Sequence, residues 1–250
     1  MLRLLGLNTT PQHHAAFFHD SLGELTTPSG APRVLISGTA DYSMLARLLP
    51  AFREHGAHPA ITVVDRCETA LMLNRWYAAR EGLEIATERS DLLAYTAEAA
   101  YDVVCTHSFI GQFDPQRRAQ LFASWQRLLR PGGLLLTINR LRAQAGAGWL
   151  GYLPEQATAL ADNVRRNAGR VSAVVGATAE ALGEAALRYA RHMGAWPIRS
   201  AEELRSLCEA SGFRVERLSA EPVVLASGGT LSAPTIPGGA PYAQLAARRL

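Results

Sequence analysis

The sequence predicts an α/β fold: a mostly parallel sheet with helices on both faces. Three observations carry it. Short β-rich runs alternate with longer helical ones from residue 33 onward. The first run, RVLIS, ends on a lone glycine, Gly38, and passes straight into a helical pattern. A capped helix, DPQRRAQLFASWQRLL, leads through PGG into the apolar run LLLTI. Such alternation is built from parallel strands joined by right-handed crossovers.

The elements follow in order. TPQHHAAFFHDSLGEL reads as a helix ahead of the sheet. RVLIS (33–37) is the first strand, and Asp41 to Arg53 is helical, with Leu45, Leu48 and Leu49 on one face. Pro50 is expected to end or kink that helix, because it lacks an N–H. ITVVD (61–65) is a buried strand, and the helix from Glu68 is stopped by Gly82. LEIAT (83–87) and YDVVCT (101–106) are the third and fourth strands. Asp114 can cap the next helix, with Pro115 at its first position and Leu121, Trp125, Leu128 and Leu129 as its apolar stripe. PGG (131–133) is expected to end it before the fifth strand, LLLTI (134–138).

Residues 141–199 break the rhythm. Pro154 to Asn167 reads as one helix, and Ser172 to Met193 as a second, with Val175, Ala179, Leu182, Ala186, Tyr189 and Met193 at helical spacing. A capping box, Ser200 to Glu203, then opens a helix that ends at Gly212. FRVERLSA (213–220) and YAQLAARR (242–249) close the sheet across a Gly-, Ser- and Pro-rich linker. The expected organisation is an N-terminal helical cap (1–30), a core (31–140 and 200–250), and a helical insertion or lid over the site (141–199).

A chain of 250 residues with 48% hydrophobic and 19% charged residues can bury a full core. A formal charge of +3 does not call for a polyanionic partner. All 25 basic residues are arginine. The absence of lysine excludes a Schiff-base lysine, a G-K-[ST] phosphate loop and a Tyr-x-x-x-Lys dehydrogenase pair. Cys67, Cys105 and Cys208 are odd in number and without metal-ligand spacing. MLRLLGLNTTP is too short an apolar run for a signal peptide, and no stretch nears the about 20 apolar residues that span a bilayer. The expectation is a cytoplasmic protein without a membrane partner.

In open α/β sheets, ligands bind outside the carboxyl ends of the strands. Ser37, Gly38, Thr39, Ala40 and Asp41 follow the first strand. The glycine permits close backbone approach, and the next helix offers its free N–H groups to an anion. Asp65, after the second strand, can accept a ribose diol or simply cap the next helix. Asp91 and Leu92 follow the third strand, where an acid and a backbone N–H can read an adenine edge. Thr106, His107, Ser108 and Phe109 follow the fourth.

The succession VLISGTADYSML, ITVVDRCETAL, ERSDLLAY, YDVVCTHSFIGQFD, LLRPGGLLLTINR and EELRSLCEASGFRVERL resembles the class I S-adenosylmethionine-dependent methyltransferases. LLRPGGLLL and ASGFRVERL are its most specific phrases. The resemblance implies a Rossmann-like sheet of seven strands, the last antiparallel. It further implies S-adenosyl-L-methionine as cofactor. Ser37, Gly38, Thr39 and Asp41 would hold its methionyl part, Asp65 and Arg66 its ribose, and Asp91 and Leu92 its adenine. His107 and Ser108 would lie beside the reacting methyl. The opening motif departs from the family: Ile36 stands where an acid is usual, and Ala40 and Tyr42 where glycines are.

His107 is the first candidate for a general base, since histidine titrates near neutrality. His14 is the second. It shares a helix face with Phe18, and the two would line a substrate pocket together with Tyr152. His13 and His19 lie on the same helix, and no metal site is expected. Arg165, Arg166, Tyr189, His192 and Trp196 are further candidates for shaping that pocket. There is no N-P-P-Y run, no Pro-Cys nucleophile and no separate nucleic-acid domain. A small-molecule acceptor is therefore expected, methylated on O, N or S, with no nucleic-acid partner and with a homodimer allowed. The alternatives are a non-catalytic cofactor-binding scaffold and a nicotinamide-dependent oxidoreductase.

Overall fold

A computed structural model describes residues 2, 4–7, 9–25, 30–143, 145–223 and 241–250. The strands are β1 (Arg33–Ser37), β2 (Ala60–Asp65), β3 (Ala86–Arg89), β4 (Tyr101–His107), β5 (Leu129–Arg140), β6 (Leu150–Gly151), β7 (Gly194–Ala195), β8 (Phe213–Pro222) and β9 (Pro241–Arg249). The helices are α1 (Ala15–Gly23), α2 (Ser43–Glu54), α3 (Glu68–Arg80), α4 (Pro115–Leu128), α5 (Pro154–Asn167), α6 (Ser172–Val175), α7 (Ala179–His192) and α8 (Ala201–Ala210).

Seven strands form one sheet in the order β3-β2-β1-β4-β5-β9-β8, and β6 pairs separately with β7. The pairs among β1 to β5 are parallel, while β9 runs antiparallel to both β5 and β8. The chain leaves β1 toward β2 and β3, then returns to build β4 and β5 on the other side. The crevice for a ligand therefore opens outside the carboxyl ends of β1 and β4.

Strand alternation sends side chains to two cores. Val34 and Ile36 join Leu45, Leu48, Phe52, Phe17 and Phe18 on the α1–α2–α3 face. Leu35 and Val104 join Leu121, Phe122, Trp125 and Leu204 on the α4–α8 face. A third cluster ties Leu2, Leu5 and Leu7 to α5 and α7.

Five expectations are corrected. Helix α2 runs through Pro50 to Glu54. Proline in a helix costs about 3 kcal/mol, whereas burying Leu45, Leu48, Leu49 and Phe52 at about 1.5–3 kcal/mol each more than offsets it. The third strand is Ala86–Arg89, set by pairing of Thr62 to Asp65 with Ala86 to Arg89. The segment 172–193 is two helices, broken where Gly176 turns left-handed at φ 62° and Thr178 caps the second through the Ala181 N–H. PGG lies inside β5, which pairs from Leu129 onward across a bulge. The N-terminal segment opens as a tight turn, Pro11–His14, and becomes α-helical only at Ala15. Most of the linker between the two closing strands (224–240) lies outside the described residues.

Candidate active site

A cavity of about 350 Å³ opens at the carboxyl ends of β1, β2, β4 and β5. Gly38, Thr39, Asp41, Asp65, His107 and Ser108 line it, six of the residues expected from the sequence. Thr9 to Pro11, Tyr189 and the 193–196 segment complete its lining.

The loop after β1 is fixed by side chains. The Gly38 N–H donates to the Val64 carbonyl at 3.0 Å, and its φ is +69°. A side chain there would collide with the ring of Phe109. Asp65 accepts the Thr39 N–H at 2.8 Å on one carboxylate oxygen and the Cys67 N–H at 2.7 Å on the other. Asp65 thus holds the turn into α3 and ties the loop to β2. Each carboxylate oxygen has a further lone pair, and Asp65 lines the cavity. Asp41 accepts the Ser43 N–H at 2.7 Å, holding the start of α2. Tyr42 stacks on Tyr77, ring centroids 4.8 Å apart, and so faces α3 instead of the cavity.

Ser108 sits in the left-handed region at φ 54°, its N–H donating to the Ile138 carbonyl at 2.7 Å. A non-glycine residue there is uncommon, and such positions gather at functional sites. His107 is enclosed beside His14, ring centroids 5.5 Å apart, and Tyr242 lies 5.3 Å from His14 and 6.2 Å from His107. Burial pushes His107 down to about 3, with help from His14 and His13 and opposition from Asp41. Burial, then His13, pushes His14 down to about 4. Both rings are neutral at pH 7, and the Nε2 atom of each is without a hydrogen-bond partner. His14 Nδ1 lies 3.2 Å from the Gln244 amide nitrogen, and the Tyr242 hydroxyl 2.5 Å from Thr9 Oγ1.

Several expected residues lie elsewhere. Ser37 is buried and accepts the Trp125 indole N–H at 2.9 Å. Phe18 is fully buried against α2, because the turn at Pro11–His14 breaks the helical face it was to share with His14. Leu92 packs in the α4–α8 core. Asp91 accepts the Leu93 N–H at 3.0 Å, with Arg66 and Arg117 at 3.8 and 3.9 Å; Asp91 and Arg66 are not among the cavity's lining residues. Tyr152 lies behind the wall, 6.4 Å from Tyr189.

Tyr189 and Trp196, expected to shape the pocket, line the cavity, whereas the sequence reading missed Asn139, Arg140, Arg142 and Tyr242. The rule applied to the first four strand ends would have found Asn139 and Arg140 at the end of the fifth. Arg118, buried on α4, donates to Glu203 at 3.0 Å and to the carbonyls of Trp196 and Pro197 at 2.8 and 3.0 Å. It anchors this part of the cavity's wall.

Residues 43–133 match a family described as "Methyltransferase domain". No curated protein sequence matches the chain. Among solved structures, the cyclase SpnF aligns with a TM-score of 0.60 at 16% identity, covering 97% of this chain and 83% of that one. A 1,6-didemethyltoxoflavin-N1-methyltransferase of Burkholderia thailandensis, with bound 1,6-didemethyltoxoflavin and S-adenosylhomocysteine, aligns at 0.57 and 17%, covering 94% and 76%. A geranyl diphosphate methyltransferase in complex with S-adenosylmethionine aligns at 0.57 and 13%, covering 95% and 84%. The residues present fit this donor: a left-handed glycine without a side chain and an acid with lone pairs to spare line the same cavity. Residues 43–133 thus carry a methyltransferase domain within the fold of these structures, and S-adenosylmethionine is its donor.

Proposed function

We propose that this methyltransferase acts on a small-molecule acceptor held in the cavity, at an O, N or S atom. The observation that carries the reading is the size of the cavity. About 350 Å³, lined by Thr10, Tyr189 and Trp196 as well as by the strand ends, suits a small ligand. The similar methyltransferases named above are described with small substrates, which supports the same reading.

When bound, S-adenosylmethionine supplies a methyl already activated by its sulfonium charge. The chain's own work is binding, alignment and exclusion of water, and alignment supplies about 7–11 kcal/mol in favourable cases. Gly38, Thr39 and Asp41 hold the methionyl end, and Asp65 the ribose. Asp91, Leu92 and Arg66 are left to the adenine and outer ribose edge. Ser108 and His107 face the reacting end. A ring pushed to about 3 or about 4 takes a proton poorly at pH 7. His107 and His14 therefore act as neutral hydrogen-bonding groups that orient the acceptor. The acceptor atom then carries a free lone pair, or is acidic enough to ionise without a strong base.

A second reading, a cofactor-bound scaffold that shapes its substrate without moving the methyl, draws on Phe109, whose ring packs on Gly38. One assay separates the two. The protein is incubated with methyl-labelled donor and a panel of phenols, amines, thiols and their acids. Label in a small product supports methyl transfer. Donor binding with no transfer to any member supports the scaffold, and label only in protein or RNA overturns the small-molecule acceptor.

A further inference from the structure

Arg140, which is buried, and Arg142, which is half-buried, differ from the buried Arg118. The Nε of Arg118 also lacks a partner, but its terminal nitrogens reach Glu203 and two carbonyls. Arg140 is 5% exposed, yet its Nε and Nη2 atoms have no hydrogen-bond partner, and neither has Nε of Arg142. Among the described residues no carboxylate pairs with either guanidinium. Residues 1, 3, 8, 26–29, 144 and 224–240 contain no Asp or Glu that could serve. The groups whose charge raises the two guanidiniums are the phenols Tyr242 and Tyr152 alone.

An uncompensated buried cation is costly, and proteins pair such charges or neutralise them. Here a buried and a half-buried one stand together. Arg140 ends β5, and Arg142 follows two residues on, its N–H donating to the Ile198 carbonyl at 2.8 Å. Extended backbone puts residues i and i+2 on one side, and both line the cavity. Burial, then the charge of Arg140, pushes Arg142 down to about 10, so Arg142 remains cationic at pH 7. Burial also lowers Arg140.

Their position assigns their partner. The cavity's two acids, Asp41 and Asp65, lie on the β1–β2 side, where the donor is held. The arginines emerge from β5, on the other side of β4. We propose that Arg140 and Arg142 form an oxyanion subsite for the acceptor, which carries a carboxylate or a phosphate. This deepens the small-molecule reading and rests on it. Guanidinium forks suit both anions, bidentately. The same pair would favour ionisation of a neighbouring acceptor hydroxyl, which neutral histidines do not.

The test uses calorimetric titration of the full chain with benzoate, phenyl phosphate and benzamide, and separately with S-adenosylhomocysteine. The expected result is that one or both anions bind at least tenfold tighter than the isosteric amide; which one binds separates carboxylate from phosphate. Arg140→Gln and Arg142→Gln should each weaken the bound anion at least tenfold and leave S-adenosylhomocysteine within twofold. Equal binding of anions and amide overturns the proposal. So does an equal loss of S-adenosylhomocysteine, which would assign the pair to the donor's own carboxylate. Thermal melting gives an independent readout. Arg140→Met should melt higher than the parent, since it removes an unpaired buried charge, while losing anion binding. A lower melting temperature would mark the guanidinium as structural and overturn the subsite. Methyl transfer to neutral panel members without anion binding would sink this proposal and keep the small-molecule reading. Anion binding without transfer to any panel member would do the reverse.

Discussion

Asp65 accepts the backbone N–H of Thr39 at 2.8 Å, joining the end of β2 to the glycine loop after β1. The same carboxylate serves two purposes: it positions the loop and faces the cavity. On the proposed assignment, Asp65→Ala removes a ribose contact and loosens the loop proposed to hold the methionyl end. Charge-assisted hydrogen bonds contribute about 1.5–3 kcal/mol each, so S-adenosylhomocysteine affinity should fall roughly 10–150-fold. Calorimetry reads this directly, and unchanged affinity would refute the assignment.

Gly38 tests the fit of the loop. Gly38→Ala puts a Cβ into the Phe109 ring and a non-glycine residue at φ +69°. The left-handed position alone costs about 1–2 kcal/mol. Donor binding should fall at least tenfold. Adding Phe109→Ala should relieve the collision and leave the backbone cost, giving partial recovery. Full recovery would mean that the backbone conformation does not matter.

Arg118 holds the cavity wall without touching its interior chemistry. Arg118→Met leaves Glu203 and the carbonyls of Trp196 and Pro197 without their donor. Breaking a buried pair costs about 3–5 kcal/mol. Urea unfolding should register that loss. For a methylated acceptor KM should rise more than kcat falls, because that wall positions the acceptor. A stability change below 1 kcal/mol, on the order of a surface substitution, would contradict the anchoring role.

The histidine pair predicts a pH dependence. Burial holds His14 at about 4 and His107 at about 3 in the folded chain, below the ordinary value of 6.5. The unfolded chain takes up these protons first as pH falls. Their neutral burial therefore costs nothing above pH 6.5, and stability is lost as pH drops from 6.5 toward the folded values. Each ring contributes up to ~1.4 kcal/mol per pH unit in that window. Urea midpoints measured from pH 7.5 to 4.5 should fall, and His107→Gln should flatten the fall. An identical slope in the variant would show that His107 is not buried neutral.

Element order and the donor side of the site were legible in the sequence. The Asp114 cap with Pro115 and the Ser200 cap are local signals, and both lie where expected. The strand runs were legible in order, though the third and fifth strands have other bounds. Gly38 and Asp65 share one cavity because a parallel sheet brings all its carboxyl ends to one edge. The break at Gly176 was legible too, in a glycine followed by a capping threonine, but the long apolar spacing masked it. Pro50 does not end α2, because a local rule yielded to tertiary burial.

The acceptor side was decided only by the tertiary structure. Thr9 meets Tyr242 across 233 residues, and His14 meets Gln244 across 230. No periodicity or spacing encodes such pairs; they follow from β9 inserting beside β5 and from the N-terminal turn that brings His14 to it. Whether a buried charge is satisfied is likewise a property of the packed whole. In sequence Arg118, Arg140 and Arg142 are three arginines near strand ends. In the fold one is matched by Glu203 and two are left facing the cavity, because only packing decides which acids come within reach.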